Sequence, residues 1–311
     1  MSDSPSINIL LDSKNPSIRY RTQRDLLNVK PDKELKQKIL ESRQVQKILS
    51  KMHPDGYWLY RNLGAGIDYA MSSSTHFVLS FLAEMGLDKN DLVIDKAVNR
   101  YLQLSGKEKW LTGPDHNTHQ SCLYAHNLRT FILLGYKSDE RIEERIKTLL
   151  DDVRFDDGYL CVRDSFGPKT KSCIRGTVKA LMAYAELPEY YSHQSCKKTV
   201  NYFLKRNIYY KLPDLQEKIR NGMGTVFPFV INCSLLEPLY ALSRMGYGSH
   251  PALNDAWATL ESHLTESGLY ILDWFPPSYF RPGKKGEPNE WVTFYALLAK
   301  KYCQESGINS K

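Results

Sequence analysis

Apolar residues fall in long blocks along this chain, separated by stretches in which apolar and charged residues alternate on a helical period. Three blocks align without a gap: Cys122 to Tyr136, Cys173 to Leu187 and Cys233 to Tyr247. Each begins with a cysteine and reaches Gly135, Glu186 or Gly246 thirteen residues later. Glycine at that place is a helix C-terminal signal, because it accepts the left-handed backbone that ends a helix. Ser73 to Gly86 fits the same frame with a serine in the cysteine slot, and weaker copies run from Ser17 to Asn28 and from Trp291 to Tyr302. After the stops come more polar helices, predicted over Lys89–Leu104, Ser138–Val153, Ser192–Arg206 and His250–Thr265.

The first helix of each pair is apolar nearly all round and so should be buried on every side; the second has one charged face and should lie outside. Glycine-aromatic turns follow several pairs: Asp55-Gly56-Tyr57-Trp58, Asp157-Gly158-Tyr159 and Ser267-Gly268-Leu269-Tyr270. Strand signals are scarce, the best being Leu269 to Phe275. About six pairs with inner apolar and outer amphipathic members make either an open solenoid or a closed ring. The terminal copies are not clearly polar, as solenoid caps would be, so the expectation is an all-α chain closed into an α/α toroid. It should form a single domain over residues 1–311, with a polar N-terminal segment over about residues 1–15.

Composition narrows the partners. The net charge of +7, from 42 basic and 35 acidic residues, is mixed in sign and forms no long basic stripe, which argues against nucleic acid. Local clusters such as Lys197-Lys198 and Lys284-Lys285 suit an anionic head group or a membrane surface. No apolar run is long enough to span a bilayer and no secretory leader is evident, so a cytoplasmic location is expected. Six cysteines in such a chain read as free thiols or metal ligands rather than a disulfide framework. Twenty tyrosines against eleven phenylalanines suit a semi-polar cavity wall and equally an ordinary repeat core.

The repeat and its Asp-Gly-aromatic turns resemble the terpenoid cyclase and protein prenyltransferase toroid superfamily, over roughly Pro16 to Lys301. The chain is more closely similar to short proteins with prenyltransferase or squalene-oxidase repeats, through Ser17-IRYRTQRDLL, Ser172-CIRGTVKALMAYAELP, Phe227-PFVINCSLLEPLYAL and Pro288-NEWVTFYAL. The resemblance implies a central cavity for an isoprenoid-like or other lipidic small molecule. Two family motifs are missing: no D-x-D-D string exists, and Gln120 and Lys171 stand where a zinc-binding Asp would precede Cys122 and Cys173.

Equivalent positions of successive inner helices should sit at one height, so Cys122, Cys173 and Cys233 are expected to ring one mouth. With His119 and His126 they offer a donor set that zinc takes; as small hydrophobes in tight helix packing they need no metal. Cys173 is also a candidate nucleophile, being placed near a helix N-terminus. Glu237, inside an apolar helix, and Asp68, ahead of another, are candidate acids; a structural ion pair is the competing reading for Glu237. Tyr69, Phe77, Tyr124, Phe229 and Trp291 are candidate aromatic walls for an apolar substrate or a carbocation, or plain core. Three functions stay open: a cyclase- or prenyltransferase-like enzyme with a Cys/His rim, a non-catalytic binding or scaffold toroid, and a carbohydrate-active barrel. The last would use two of Glu84, Glu186 and Glu237.

Overall fold

The computed structural model describes residues 5–58, 73–108, 121–160, 171–219, 223–230 and 233–308. In chain order the helices are α1 (Pro5–Leu11), α2 (Pro16–Arg21), α3 (Lys33–Glu41), α4 (Arg43–Leu49), α5 (Thr75–Glu84), α6 (Leu92–Glu108) and α7 (Ser121–Leu133). They continue as α8 (Glu140–Asp151), α9 (Ile174–Ala185), α10 (Gln194–Leu204), α11 (Leu236–Leu242), α12 (Asn254–Glu261) and α13 (Glu290–Ile308). Helices α2 and α11 each run on into a π-helical turn, Thr22–Leu26 and Ser243–Tyr247. The predicted strand shrinks to Tyr270–Ile271, paired antiparallel with Pro288–Asn289.

Helices α5, α7, α9, α11 and α13 pack each against the next, and α13 returns to α2 and its π-helical turn. Arg21 of α2 completes the circuit by donating to the Glu84 backbone and side chain, both at 2.9 Å. On the other side Lys301 of α13 donates to the Asp25 carbonyl and to Asn28 Oδ1, both at 2.8 Å. These helices therefore close, and the chain is an all-α α/α toroid. Every residue of α5 and of α11 is buried, as is α9 from Gly176 onward. Outer helix α8 instead buries one stripe, Ile142, Ile146, Leu149 and Leu150. The all-round apolar pattern thus marks the inner ring and the one-sided pattern the outer ring.

The glycine stops behave as the sequence pattern predicts: Gly86, Gly135 and Gly246 all have φ near +90°. The glycine-aromatic turns have a more specific role. The backbone N–H groups of Trp58, Tyr159 and Tyr270 donate to the hydroxyls of Thr75, Thr177 and Thr293, at 2.9, 3.0 and 2.8 Å, in the first turns of α5, α9 and α13. The same aromatics reach back to the preceding outer helix, Trp58 Nε1 to the Ile48 carbonyl at 2.8 Å and Tyr159 OH to that of Leu149 at 3.0 Å. Each turn thus pins an outer helix to the next inner one. The N-terminal segment is not merely polar: α1 buries Ile7 and Leu10, and Ser6 Oγ donates to the Gly268 carbonyl at 2.6 Å.

Candidate functional site

The threonine anchors reset the repeat frame. Thr75 lies two residues after Ser73, but Thr177 lies four after Cys173. The gap-free cysteine alignment is therefore two residues out of register in α9, where Glu186 replaces the stop glycine and its φ is −89°. In the structural frame Phe77 and Lys179 are equivalent, each two residues beyond its threonine, and Glu84 and Glu186 are equivalent nine beyond. In α9 the stripe that meets the neighbouring inner helices is consequently set two residues later than the cysteine frame implies.

At the C-terminal end of the inner helices that stripe is a continuous ion network. Glu84 accepts from Arg21 of α2, from Arg129 Nη1 of α7 at 2.8 Å, and from Tyr295 OH of α13. Arg129 also approaches Glu186, with Nε at 3.4 Å, and Glu186 in turn accepts from Tyr240 OH at 2.9 Å and from Arg244. Arg21 is further paired with Asp25. All six inner helices contribute to this floor, and its three arginines balance three carboxylates. Burial alone would raise the Glu84 pKa, but Arg129 and Arg21 reverse that and hold it below the ordinary value. Asp25 behaves likewise: Arg21 and Arg24 overcome its burial and bring it to about 2.

One to two turns nearer the N-termini the stripe changes character. Phe77 of α5 lies against His126 of α7, with ring centroids 5.2 Å apart. Lys179 of α9 and Glu237 of α11 form an ion pair with side chains 3% and 0% exposed. The Ser234 backbone N–H also donates to Glu237, at 2.8 Å. Both carboxylate oxygens of Glu237 are thus engaged as hydrogen-bond acceptors. Burial, followed by Lys179, His76 and Arg129, pushes the His126 pKa well below its ordinary value, while a hydrogen bond to the Phe229 backbone opposes the shift. His126 Nε2 is buried and has no hydrogen-bond partner among the described residues.

The segment before α11 enters the ring and packs its aromatics against α13. Phe227 stacks on Trp291 at 5.1 Å, Phe229 meets Tyr295 edge-on at 4.6 Å, and Phe280 lies 5.9 Å from Trp291. Of the predicted wall residues, Phe77, Phe229 and Trp291 are thus brought to the inner ring. Tyr124 is not: its hydroxyl donates to the Arg145 carbonyl of α8 at 2.6 Å, so it faces the outer layer. Tyr124 lies two residues before His126, too few to share its helix face. Asp68, Tyr69 and His119 lie outside the described residues.

Of the three cysteines expected to ring one mouth, Cys233 borders the outer layer. Cys233 is buried and borders a cavity of about 10 Å³ with Ile174, Val178 and Phe203, the last on outer helix α10. Burial, then Glu237, drives its pKa up, against thiolate formation. Cys173 is the half-buried N-cap of α9, and its carbonyl accepts from the Thr177 hydroxyl at 2.8 Å. Cys122 is half-buried at the second residue of α7, on the same helix face as His126. Among the described residues no three His, Cys, Asp or Glu side chains come together as a metal-holding group. The described thiols and His126 therefore do not by themselves assemble a zinc site.

The residues that sequence reasoning passed over are Arg21, Arg129, Arg244 and Lys179. Their signal was present: a basic residue inside an otherwise apolar inner helix requires a buried partner. Likewise, Glu84 and Glu186 are each committed to two arginines rather than facing each other across a cleft.

No protein-family model and no curated protein matches this chain. Among solved structures it is similar to a glycosyl hydrolase of family 88 from Bacteroides vulgatus, with TM-score 0.50 and 12% identity over 94% of this chain and 91% of that one. A type II terpene cyclase, MstE from Scytonema in its apo form, aligns with TM-score 0.44 and 12% identity over 89% of this chain and 84% of that one. At such identity the likeness to the hydrolase concerns the α/α-toroid fold alone. No helix of the described residues is long and apolar enough to cross a membrane.

Proposed function

We propose that this toroid binds a predominantly apolar small molecule, isoprenoid-like or another lipid, between the N-terminal halves of its inner helices. The supporting observation is the division of the inner face. Most of its charges are gathered into a paired floor, and the level above presents Phe77, Phe229 and Trp291 beside His126 and the mutually neutralised Lys179–Glu237 pair. Ligand sites are typically apolar concavities with a few placed polar groups. In a cyclase- or prenyltransferase-like reaction at this level Glu237 would be the candidate acid. Glu237 would have to leave Lys179 before donating a proton.

A second reading, a non-catalytic scaffold, is favoured by one feature: Phe227, Phe229 and Phe280 fill the α13 side of the ring. The carbohydrate-active reading needs two working carboxylates, and Glu84, Glu186 and Glu237 are all held by cations.

Organic extraction and mass spectrometry of the purified protein, with a titration of tryptophan fluorescence by farnesol and farnesyl diphosphate, separates these readings. A stoichiometric co-purifying lipid, or a saturable response to either probe, supports binding. An empty extract with no response to either probe would overturn it and leave the scaffold.

A further inference from the structure

His263 follows the last turn of α12, and both of its ring nitrogens meet acceptors. Nδ1 lies 2.8 Å from the Thr259 carbonyl oxygen, and Nε2 lies 2.9 Å from Asp273 Oδ2. A carbonyl and a carboxylate bring no proton, so each contact needs an N–H from the ring. Either neutral tautomer has one N–H and turns a lone pair against the other oxygen. Only the imidazolium satisfies both. A proton placed on Asp273 instead would sit on the weaker base of the two. With neither nitrogen free, the ring is a tie between elements rather than a proton shuttle.

What the tie holds is the entry to the aromatic segment inside the ring. Asp273 Oδ2 also accepts from the backbone N–H of Thr225, at 2.8 Å, and the hydroxyl of this fully buried threonine donates to the Ile271 carbonyl at 2.5 Å. Next along the chain, the Val226 N–H donates to Ser234 Oγ at 3.0 Å, and the Leu235 N–H donates to the Gly224 carbonyl at 3.0 Å. The Ser234 N–H donates to Glu237, the partner of Lys179. A line of hydrogen bonds, with one covalent step from Thr225 to Val226, thus leads from the His263 side chain, 19% exposed, to the buried ion pair. Phe227 and Phe229 sit beside that line, against Trp291 and Tyr295.

Among the described residues Asp273 is the only charged group in contact with the imidazole. On α12 itself, Asp255 is paired with Lys218 at 2.9 Å and Glu261 with Lys300 of α13 at 2.8 Å. The turn after α12 carries the exposed Glu266, and the turn that bonds the Leu272 backbone carries Glu287, paired with Lys284 at 3.2 Å. The Met223–Val230 segment has no charged residue.

We propose that the proton on His263 latches the Gly224–Val230 segment into the ring: the imidazolium ties Asp273, and through it Thr225, to α12, and loss of that proton loosens the segment. A contact made only by the charged ring is present in acid and is lost as the pH rises through the interval in which histidines titrate, about pH 5 to 8. The latch concerns how the ring's own aromatics are seated and stands or falls independently of the binding function proposed above.

Hydrogen exchange of the intact protein, read by mass spectrometry at about pH 6 and about pH 8 and corrected for the intrinsic pH dependence of amide exchange, tests the latch. Protection of peptides covering Gly224–Val230 is expressed relative to peptides of α5. In wild type this ratio should fall about threefold to tenfold between the two conditions, the difference between a charge-assisted and a neutral hydrogen bond. In His263→Gln, which carries no titrating ring, the ratio should be the same at both. Asp273→Asn, which keeps an acceptor for the Thr225 N–H, should behave likewise. Nitrogen-15 NMR of wild type should find both His263 ring nitrogens protonated at the lower pH.

A single protonated ring nitrogen at the lower pH overturns the proposal. So does a wild-type ratio that does not change with pH, or a change that survives in His263→Gln. If His263→Gln does not fold, Asp273→Asn and the ring-nitrogen signals decide the matter.

Discussion

The two ends of the inner ring solve the same problem differently. At the C-terminal end, buried charge is shared: Glu84 and Glu186 each have two arginines, and Arg129 bridges them. Nearer the N-termini, Lys179 and Glu237 have each other, and His126 keeps an unpartnered nitrogen. A network in which each carboxylate has two cations survives the loss of one; a pair with one partner apiece does not. Redundancy of partners is thus the physical difference between the floor and the mouth.

Removing one cation from each end should give unequal losses. Lys179→Met leaves Glu237 buried with only the Ser234 N–H, and should destabilise the fold by about 4 kcal/mol, within the range for orphaning a buried charge. Lys179→Met combined with Glu237→Met should recover most of that loss, since two apolar side chains replace a complete pair. Urea unfolding of wild type, the two single variants and the double variant checks both statements. A double variant no better than Lys179→Met would show that the pair does more than neutralise itself.

Arg129→Met at the floor should cost less, roughly 3 kcal/mol, because Glu84 keeps Arg21 and Glu186 keeps Arg244. The same unfolding experiment measures it. A loss larger than that of Lys179→Met would contradict the account of the floor as a redundant network.

Much of this architecture was legible as pattern. Glycine stops, an all-round apolar inner helix and a one-sided outer helix are local consequences of burial, and they gave the six-pair ring. Level and facing were less legible. Cys122, Cys173 and Cys233 matched as letters, yet Thr177 shows that α9 is anchored two residues later than the cysteine implies. Helix ends fix letters only where a stop glycine fixes the turn, and α9 ends on Glu186. Of the candidate site, Phe77, Phe229, Trp291 and His126 were found by residue type. Lys179 was not, because its meaning depends on Glu237 sitting opposite on a neighbouring helix, which no single-helix pattern encodes.

A gentler perturbation of the floor is acid. Asp25 is depressed from 3.8 to about 2, and Glu84 is held below its ordinary value. A carboxylate depressed in the folded state adds stability that is fully present above its unfolded pKa and is lost as pH falls through the folded value. The melting temperature should therefore fall steeply between about pH 4 and pH 2. In Asp25→Asn the remaining acid dependence should be shallower over that interval, and scanning calorimetry at half-unit steps measures both slopes. Equal slopes in the two proteins would remove Asp25 from the floor's charge balance.

The smallest effect tests the frame itself. Thr177→Val deletes the hydroxyl that accepts from the Tyr159 N–H and donates to the Cys173 carbonyl, at nearly constant volume. The cost should be about 1 to 2 kcal/mol, since a buried backbone N–H loses its acceptor. Thr75→Val and Thr293→Val remove the equivalent bonds to Trp58 and Tyr270 and should cost about the same. Cys173→Val, at the position the letter alignment makes equivalent to Ser73, should by contrast cost under about 1 kcal/mol, because its half-buried side chain makes no capping hydrogen bond to α9. Three matched losses at the threonines with a small one at Cys173 place the repeat on its turn-to-helix hydrogen bonds. Unequal losses, with Cys173 the most sensitive, would return the frame to the cysteines and bring the mouth's geometry back into question.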